Sequence, residues 1–147
     1  VAYCRQAAAL AGVEPTGHGF PLPNELGECP MNIVIAGGDR SLSDLIRSTD
    51  RGILVTRFWY IRAVDPRTIL YTGLTRDGTF LIENGQVTKP VKNFRYNESP
   101  IFFLNNLEAI GPAVRVNASE NLGAGGATWM PTIKVREFTF SSLSDAV

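Results

Sequence analysis

Apolar residues in the middle of the chain follow the two-residue period of β-strands. In residues 52–62 both alternating faces carry β-branched or aromatic side chains, a pattern typical of a strand that is covered on both sides in the middle of a sheet. Arg57 lies within this run, and because an unpaired buried charge is costly we expect it to have a carboxylate or carbonyl partner. The two predicted faces are Val55, Trp59 and Ile61 on one side, and Leu54, Phe58 and Tyr60 on the other.

Turn residues after this strand predict two tight hairpins. Asn84-Gly85 separates two alternating runs, and both residues tolerate the positive φ that a type I′ turn requires. Asp77-Gly78 carries the same signal and predicts a second hairpin between residues 69–75 and 78–83, while Pro66 presets a turn after the first strand. The register predicted at Asn84-Gly85 pairs Glu83 with Gln86, Ile82 with Val87, and Leu81 with Thr88.

Helix signals occur near the N-terminus and after residue 40. Residues 2–11 are rich in helix formers, and Gly12 is a suitable C-terminal stop. Ser41 and Asp44 have the spacing of a capping box, with Asp in place of Glu, so a short helix is predicted to begin there.

A third helix is predicted to start at Ser99-Pro100. Serine can accept hydrogen bonds from first-turn amides, and proline at the first helical position costs no hydrogen bond. We expect this helix to bury one apolar face and to end at Gly111-Pro112. The residues of that face are Phe103, Leu107 and Ile110.

The remaining segments complete an α+β prediction. We expect one domain, residues 1–147, that is mostly antiparallel β-sheet, meander or barrel-like, with two or three short helices. The segment 12–30 is irregular because it has Gly or Pro every few residues, and 118–128 is too polar and glycine-rich to pack. Further strands are predicted at 31–38, 92–97, 113–117 and 132–140, with Pro90 at a strand end or a sheet edge and a bulge near Arg136–Glu137.

Composition restricts the function classes. The 147 residues have equal numbers of basic and acidic side chains, which argues against a broad nucleic-acid or anionic-membrane surface. No run reaches the roughly 20 apolar residues that span a bilayer, and no signal peptide is visible, so the expected location is the cytoplasm. Cys4 and Cys29 are expected to be ordinary thiols. A start at Val1 in helix-like sequence suggests a piece of a longer protein.

The polar stretch 72–78 is the best candidate for a binding site. It places Thr72, Thr75, Arg76 and Asp77 around two glycines, of which Gly73 would allow a close approach of another backbone. One interpretation is a solvated turn and nothing more. The other is a site where Arg76 binds a charged group and the neighbouring strand contributes Arg57, Trp59 and Arg62; for these three the alternative is core packing with a salt bridge.

Other catalytic signals are weak. His18 is the only histidine, and it is either a loop residue or a contact to a ligand or partner. One His and two well-separated Cys give too few ligands for a self-contained zinc site, so no metal site and no catalytic residue is predicted in this chain. Nothing in the sequence matches a P-loop, HExxH or GxSxG motif.

Five motifs, in order along the chain, resemble the C-terminal part of the TldD/PmbA family, whose members are metallopeptidase-type proteins also called modulators of DNA gyrase. The resemblance runs from about Thr16 to the end of the chain. The motifs are GILVTRFWYIRAVDPRT, TGLTRDGTFLIENGQV, PVKNFRYNES, LNNLEAIG and MPTIKVREFTFSS.

This resemblance implies that residues 1–147 are the C-terminal domain of a longer two-domain protein. Complexes of the family pair a zinc-bearing subunit with a subunit that lacks zinc, and they cut unfolded peptides. The zinc-bearing type has an HExxxH helix ahead of this region and takes a Cys ligand near the glycine-rich loop before the last strand. No Cys occurs in residues 114–131 of this sequence, so the chain resembles the subunit without zinc.

The function that the resemblance implies is a part in the proteolysis of unfolded peptides. In this reading the chain shapes the peptide-binding surface as an oligomer, and a TldD-like partner subunit supplies zinc and hydrolysis. A further reading is a complete zinc peptidase that forms a dimer with itself. The fragment alone is expected to be inactive, to bind no nucleic acid directly and to contact no membrane. The alternative is a non-catalytic protein-binding module of the gyrase-modulator type.

Overall fold

Eight strands and three short helices make up the described parts of the chain. The structure is a computed structural model and describes residues 3–19, 28, 32–116 and 128–144. The elements are α1 Arg5–Ala11, β1 Ile33–Val34, α2 Leu42–Arg47, β2 Arg51–Asp65, β3 Leu70–Glu83, β4 Gln86–Pro90, β5 Phe94–Glu98, α3 Pro100–Asn105, β6 Leu107–Val116, β7 Thr128–Val135 and β8 Phe140–Leu143.

Two sheets organise these elements. The larger sheet has five strands in the order β2-β3-β5-β8, with β4 paired to β3 on the side opposite β2, and all its pairs are antiparallel. The smaller sheet has the order β1-β7-β6, in which only the short β1 runs parallel. The predicted α+β class with mostly antiparallel sheet is confirmed; within the described ranges both sheets stay open rather than closing on themselves.

The β2–β3 pair is one long hairpin, and here a prediction was wrong. Asp77-Gly78 does not connect two strands but lies inside β3, where φ is 59° at Asp77 and 140° at Gly78. The register with β2 shifts at this point, so the dipeptide forms a bulge. The left-handed backbone that Asp and Gly tolerate serves a bulge as well as a turn, and the long partner strand β2 decides between them.

The hairpin at Asn84-Gly85 is confirmed. Both residues have positive φ, 51° and 75°, as a type I′ turn requires. Glu83 pairs with Gln86 and Ile82 with Val87 as predicted, but a register shift then pairs Leu81 with Lys89 instead of Thr88. The predicted strand end at Pro90 is also confirmed.

The capping predictions hold at the first two helices. Gly12 ends α1 in the left-handed conformation, and the Sγ of Cys4, a free thiol, accepts a hydrogen bond from the Ala7 amide. At α2 the Ser41 side chain accepts from the Asp44 amide, and Asp44 accepts from the Ser41 amide. The Ser41 hydroxyl, together with Arg47, holds the pKa of Asp44 below its ordinary value.

The third helix is shorter than predicted. It ends at Asn105, and Leu107 and Ile110 belong to β6, which continues through Gly111-Pro112. The helical spacing of these apolar residues was misleading because pairing with β7 favours the extended conformation. Ser99 precedes the helix without making a side-chain cap, since its hydroxyl donates to the Thr68 carbonyl.

The predicted last strand divides between the two sheets. β7 ends at Val135, Glu137 has a φ of 54°, and β8 then pairs with β5 in the other sheet. The predicted bulge near Arg136–Glu137 therefore marks a larger change, a crossing from one sheet to the other. This crossing packs Phe138 against Phe58 of the larger sheet and makes Phe140 the first residue of its strand β8.

The prediction that β2 is central and covered was wrong for the described residues. β2 is the edge strand of its sheet, and Phe58, Tyr60, Ile61 and Val64 are 39%, 48%, 40% and 54% exposed. The apolar residues on both faces of β2 therefore do not show that other described residues of this chain cover the strand. In the described ranges they belong to an edge strand of 15 residues whose outer side pairs with no other strand.

An aromatic cluster forms the centre of the larger sheet's inner face. Phe58 lies edge-on to Tyr96 with ring centroids 4.9 Å apart, and Phe138 stacks on Phe58 at 5.5 Å. Phe103 and Phe140 contact Phe138 from α3 and β8. A cleft of about 870 Å³ lies beside this cluster, between α2, β2 and β7.

Among the described residues, no helix is long and apolar enough to cross a membrane. The predicted loop at 118–128 lies almost wholly outside the described residues. Cys29 and much of the irregular segment 12–30 lie outside them as well, so those expectations stay predictions.

Candidate functional site

The antiparallel register of β2, β3 and β5 brings most of the predicted site residues together. Arg57 lies opposite Arg76, Trp59 opposite Leu74, and Arg62 opposite Thr72. Directly opposite residues in an antiparallel pair share a face of the sheet. We call this surface the arginine face; its members are Arg57, Trp59, Arg62, Thr72, Arg76, Asp77 and Arg95.

Charge and stacking organise the centre of the arginine face. Arg57 Nη1 donates to Asp77 Oδ2 at 2.6 Å, and Arg76 Nε is 3.8 Å from Asp77 Oδ1. Both guanidiniums also lie over the Trp59 ring, at 4.3 Å and 5.8 Å from its centroid. The expected carboxylate partner of Arg57 is therefore Asp77, and the pair is half-exposed rather than buried.

Two bulges place these groups. The bulge at Asp77-Gly78 puts an extra residue into β3 and is held by a hydrogen bond from Thr56 Oγ1 to the Gly78 carbonyl. A second irregularity, at Tyr60 with a φ of 53°, puts an extra residue into β2 before Arg62. Arg62 then lies over the Tyr60 ring at 4.4 Å. Bulges re-aim side chains at a sheet edge, and here each one positions an arginine.

The sequence interpretation missed Arg95. This residue lies opposite Leu74 on β5, and its Nη1 donates to Thr72 Oγ1 at 3.4 Å. Thr72 Oγ1 itself donates to the Tyr96 carbonyl. The available signal was the alternation of polar and aromatic residues in 93–97, which puts Arg95 on the face opposite Phe94 and Tyr96.

Gly73 and Thr75 contact the core instead of the arginine face. A Cβ at Gly73 would lie 2.4 Å from the Tyr96 hydroxyl oxygen and 2.6 Å from its Cζ, so the glycine accommodates this ring rather than a backbone. Thr75 is 1% exposed and hydrogen-bonds Asn93 Oδ1 and the Phe94 amide. Any part of these two residues in binding stays a prediction.

His18 lies in another part of the molecule. Its Nδ1 is 2.7 Å from Thr16 Oγ1, in the segment that follows α1, and Thr16 in turn bonds the backbone of Tyr3. Its predicted contact with a ligand or partner remains a prediction, separate from the arginine face.

Burial sets the ionisation of Tyr96. The side chain is 5% exposed, and burial raises its pKa from the ordinary value near 10 to about 12. As the pH rises, Tyr96 loses its proton in the unfolded chain before it does so in the folded chain. Its contribution to the free energy of unfolding is therefore complete below about pH 10 and is lost between about pH 10 and 12.

When the pH rises from about 9 to about 11, we expect the free energy of unfolding to fall by about 1.4 kcal/mol more in this protein than in a Tyr96→Phe variant, which has no hydroxyl to ionise. Denaturant titrations of both proteins at about pH 9 and pH 11 measure the difference. An equal loss in the two proteins would show that other groups cause the whole effect.

The arginine face is suited to binding and not to acid–base chemistry. Guanidiniums stay charged at all physiological pH values and offer a planar set of donors that matches carboxylates. In the part of the chain that the structure describes, no three His, Cys, Asp or Glu side chains lie close enough to hold a metal ion, so these residues do not fit a zinc site.

Comparison with known proteins gives one family and a consistent fold. The model of the PmbA/TldA metallopeptidase C-terminal domain family matches residues 1–142. The structure of TldE from Thermococcus kodakarensis superimposes with a TM-score of 0.75 at 23% identity, over 94% of this chain and 30% of that one. No curated protein is significantly similar in sequence.

Two further solved structures are proposed modulators of DNA gyrase. The protein from Thermotoga maritima has a TM-score of 0.72 at 23% identity, over 91% of this chain and 28% of that one. The protein from Bacteroides thetaiotaomicron has a TM-score of 0.66 at 28% identity, over 96% and 28%. The chain thus spans less than a third of the length of each of these structures.

Proposed function

The chain belongs to the PmbA/TldA metallopeptidase C-terminal domain family, and from this membership we propose that it is the C-terminal domain of a longer protein that takes part in the hydrolysis of unfolded peptides in the cytoplasm. In this proposal it is the subunit without zinc. It supplies a surface that holds an extended peptide, and a TldD-like partner subunit supplies the metal and the chemistry. The absence of Cys from residues 114–131 supports this assignment, because that is where the zinc-bearing type has a ligand.

The open edge of β2 is the observation that carries the proposal. β2 is 15 residues long, and in the described ranges no strand pairs with its outer side. An extended peptide can add there as another strand, with backbone hydrogen bonds that do not depend on its sequence. Such sequence-tolerant binding suits a peptidase of unfolded chains.

Cleavage assays of the full-length protein test this function. We expect an unfolded peptide to be cut faster when the full-length protein is added to its zinc-bearing partner than when the partner is alone. Unchanged cleavage would contradict the proposal and favour the alternative, a protein-binding module without a part in hydrolysis.

Hydrogen exchange tests the binding mode separately. Because strand addition protects the amides of an edge strand, we expect exchange in residues 51–65 to slow when a non-cleavable peptide is added. The α2 amides, residues 42–47, serve as the internal control and should not change. Equal exchange of β2 with and without peptide would exclude strand addition at this edge.

A further inference from the structure

We propose that an added peptide follows residues 51–59 of β2 and places large apolar side chains, at every second position, in the cleft beside this stretch. This inference rests on the proposed function, since it names the part of the β2 edge that binds and the class of peptide that it prefers. That class is a segment of unfolded chain in which apolar residues alternate with small polar ones.

A bulge limits the part of the β2 edge that can accept a strand. From Arg51 to Trp59 the backbone of β2 is regular, because the register shift at Asp77-Gly78 puts its extra residue into β3. At Tyr60, where φ is 53°, the extra residue lies in β2 itself. A bulge bends its strand and interrupts the row of outward N–H and C=O groups, so an added strand ends before Tyr60.

The cleft of about 870 Å³ lies along this same stretch. Its described lining includes every β2 residue in 51–56, and also Phe58, but none that follows Phe58 in the strand. Leu54 and Phe58 are four residues apart on regular backbone and therefore share a face. Phe58 stacks on Phe138, which also lines the cleft, so this face of β2 borders the cleft.

A strand added outside β2 extends this face by one strand. It lies about 4.8 Å from β2, and every second side chain projects on the side of Leu54 and Phe58. Phe58 is 39% exposed, so the side chains of a neighbouring peptide can cover it. The volume of the cleft lies within the range of about 300 to 1,000 Å³ of pockets that bury whole small ligands, so more than one peptide side chain fits.

The lining of the cleft favours apolar side chains over charged ones. Helix α2 and strand β7 supply aliphatic side chains, and the described charged residues balance, three acidic and three basic. Glu108 pairs with both Lys134 and Arg136, at 3.4 and 3.1 Å. A charged peptide side chain would therefore lose hydration without a net attraction, whereas an apolar one gains free energy from burial. The charged lining residues are Asp50, Glu108, Glu137, Arg51, Lys134 and Arg136.

A free extended chain fits this site better than a second folded copy does. A second copy could pair its own β2 edge with this one, but its Leu54 and Phe58 already lie against its own cleft and aromatic cluster. Those side chains therefore cannot enter the cleft of the first copy. An unfolded peptide has no such packing, so it can place its backbone on the edge and its side chains in the cleft.

Fluorescence anisotropy with labelled peptides tests the proposal on the full-length protein, without a zinc-bearing partner so that no peptide is cut. Three peptides of about nine residues share a background of Thr, Ser and Gln and are long enough to follow residues 51–59. The first has Leu at two positions two apart, the second has Asn at those positions, and the third has its two Leu three apart, on opposite faces.

We expect the first peptide to bind about tenfold more tightly than the second and about threefold more tightly than the third. The preference should persist as the ionic strength rises, because it does not come from charge. Hydrogen exchange with the first peptide locates the bound strand: slowing in β2 should be confined to residues 51–59, and the amides of 62–65, beyond the bulge, should not change.

Two leucines of similar exposure assign the preference to the cleft. Leu42 is the first residue of α2, is 47% exposed and lines the cleft, whereas Leu104 in α3 is 54% exposed and is not among the described lining residues. Leu42→Asn should reduce the ratio of first-peptide to second-peptide affinity about threefold, and Leu104→Asn should leave it unchanged. Ile133→Thr, in a lining residue that is 37% exposed, should also reduce the ratio, and it replaces Leu42→Asn if circular dichroism shows that variant to be unfolded.

The outcomes separate this inference from the proposed function. Equal binding of the first and second peptides, or of the first and third, leaves the proposed function intact and overturns the inference, as do equal effects of Leu42→Asn and Leu104→Asn. Slowed exchange at residues 62–65 also overturns it. A change of oligomeric state in Leu42→Asn, with the peptide ratio unchanged, would assign the cleft to a second copy instead. If no peptide binds and exchange in β2 does not slow, both the inference and the proposed binding mode fail.

Discussion

Replacing Gly73 by alanine is expected to lower the free energy of unfolding by about 2 to 3 kcal/mol. The new Cβ would lie within 3 Å of the Tyr96 hydroxyl oxygen, Cζ and Cε1, a distance at which one of the groups must move. The ring cannot move freely, because Tyr96 is 5% exposed and packs against Phe58 and Phe138. Gly73 itself lies in the middle of β3, between β2 and β5.

Denaturant unfolding of Gly73→Ala and a double-mutant cycle measure this effect. In a Tyr96→Leu background the shorter side chain removes the ring atoms that the Cβ would meet, so the same glycine substitution should cost much less. Circular dichroism checks that each variant keeps its sheet structure. An equal cost in both backgrounds would refute the clash with the ring as the cause.

Substituting Thr75 by valine should cost about 2 to 3 kcal/mol although the two side chains have nearly the same shape. Thr75 Oγ1 accepts from the Phe94 amide at 2.9 Å and donates to Asn93 Oδ1 at 3.2 Å, while Thr79 Oγ1 also lies 2.9 Å away. Valine leaves the Phe94 amide without this acceptor in a part-buried position. A polar group buried without a partner costs its full desolvation free energy.

The conservative variant Thr75→Ser is the control for Thr75→Val. Serine keeps the hydroxyl and loses one methyl group, so we expect a loss of only about 1 kcal/mol. If serine destabilises the protein as much as valine does, the methyl group and not the hydrogen bonds would be the important part of Thr75. Both variants leave the arginine face chemically intact.

Much of the candidate site could be predicted because its members are close in sequence or lie on neighbouring strands of one hairpin. Arg57, Trp59, Arg62, Thr72, Arg76 and Asp77 all belong to β2 and β3, and the structure brings them to one face. Arg95 was missed because it joins the face through β5, whose position beside β3 is not encoded in any local motif.

For the fold, too, the features that depend on residues close in sequence could be predicted. The turn at Asn84-Gly85 and the capping box at Ser41 depend on residues that touch each other within a few positions, so their sequence signals were sufficient. The family could also be recognised, because its motifs are short stretches in a fixed order, and the match over residues 1–142 confirms it.

Where the local backbone preference of a segment fits two structures, contacts with distant strands decided which one forms. Asp77-Gly78 has the same backbone preference in a hairpin turn and in a bulge, and pairing with β2 selects the bulge. Leu107 and Ile110 fit a helical face as well as a strand, and pairing with β7 selects the strand. Sequence alone therefore determined the family, the class of fold, the turn at Asn84-Gly85 and the caps of the first two helices. The three-dimensional pairing of strands determined which side chains share a surface, because the free energy of that pairing comes from residues distant in the chain.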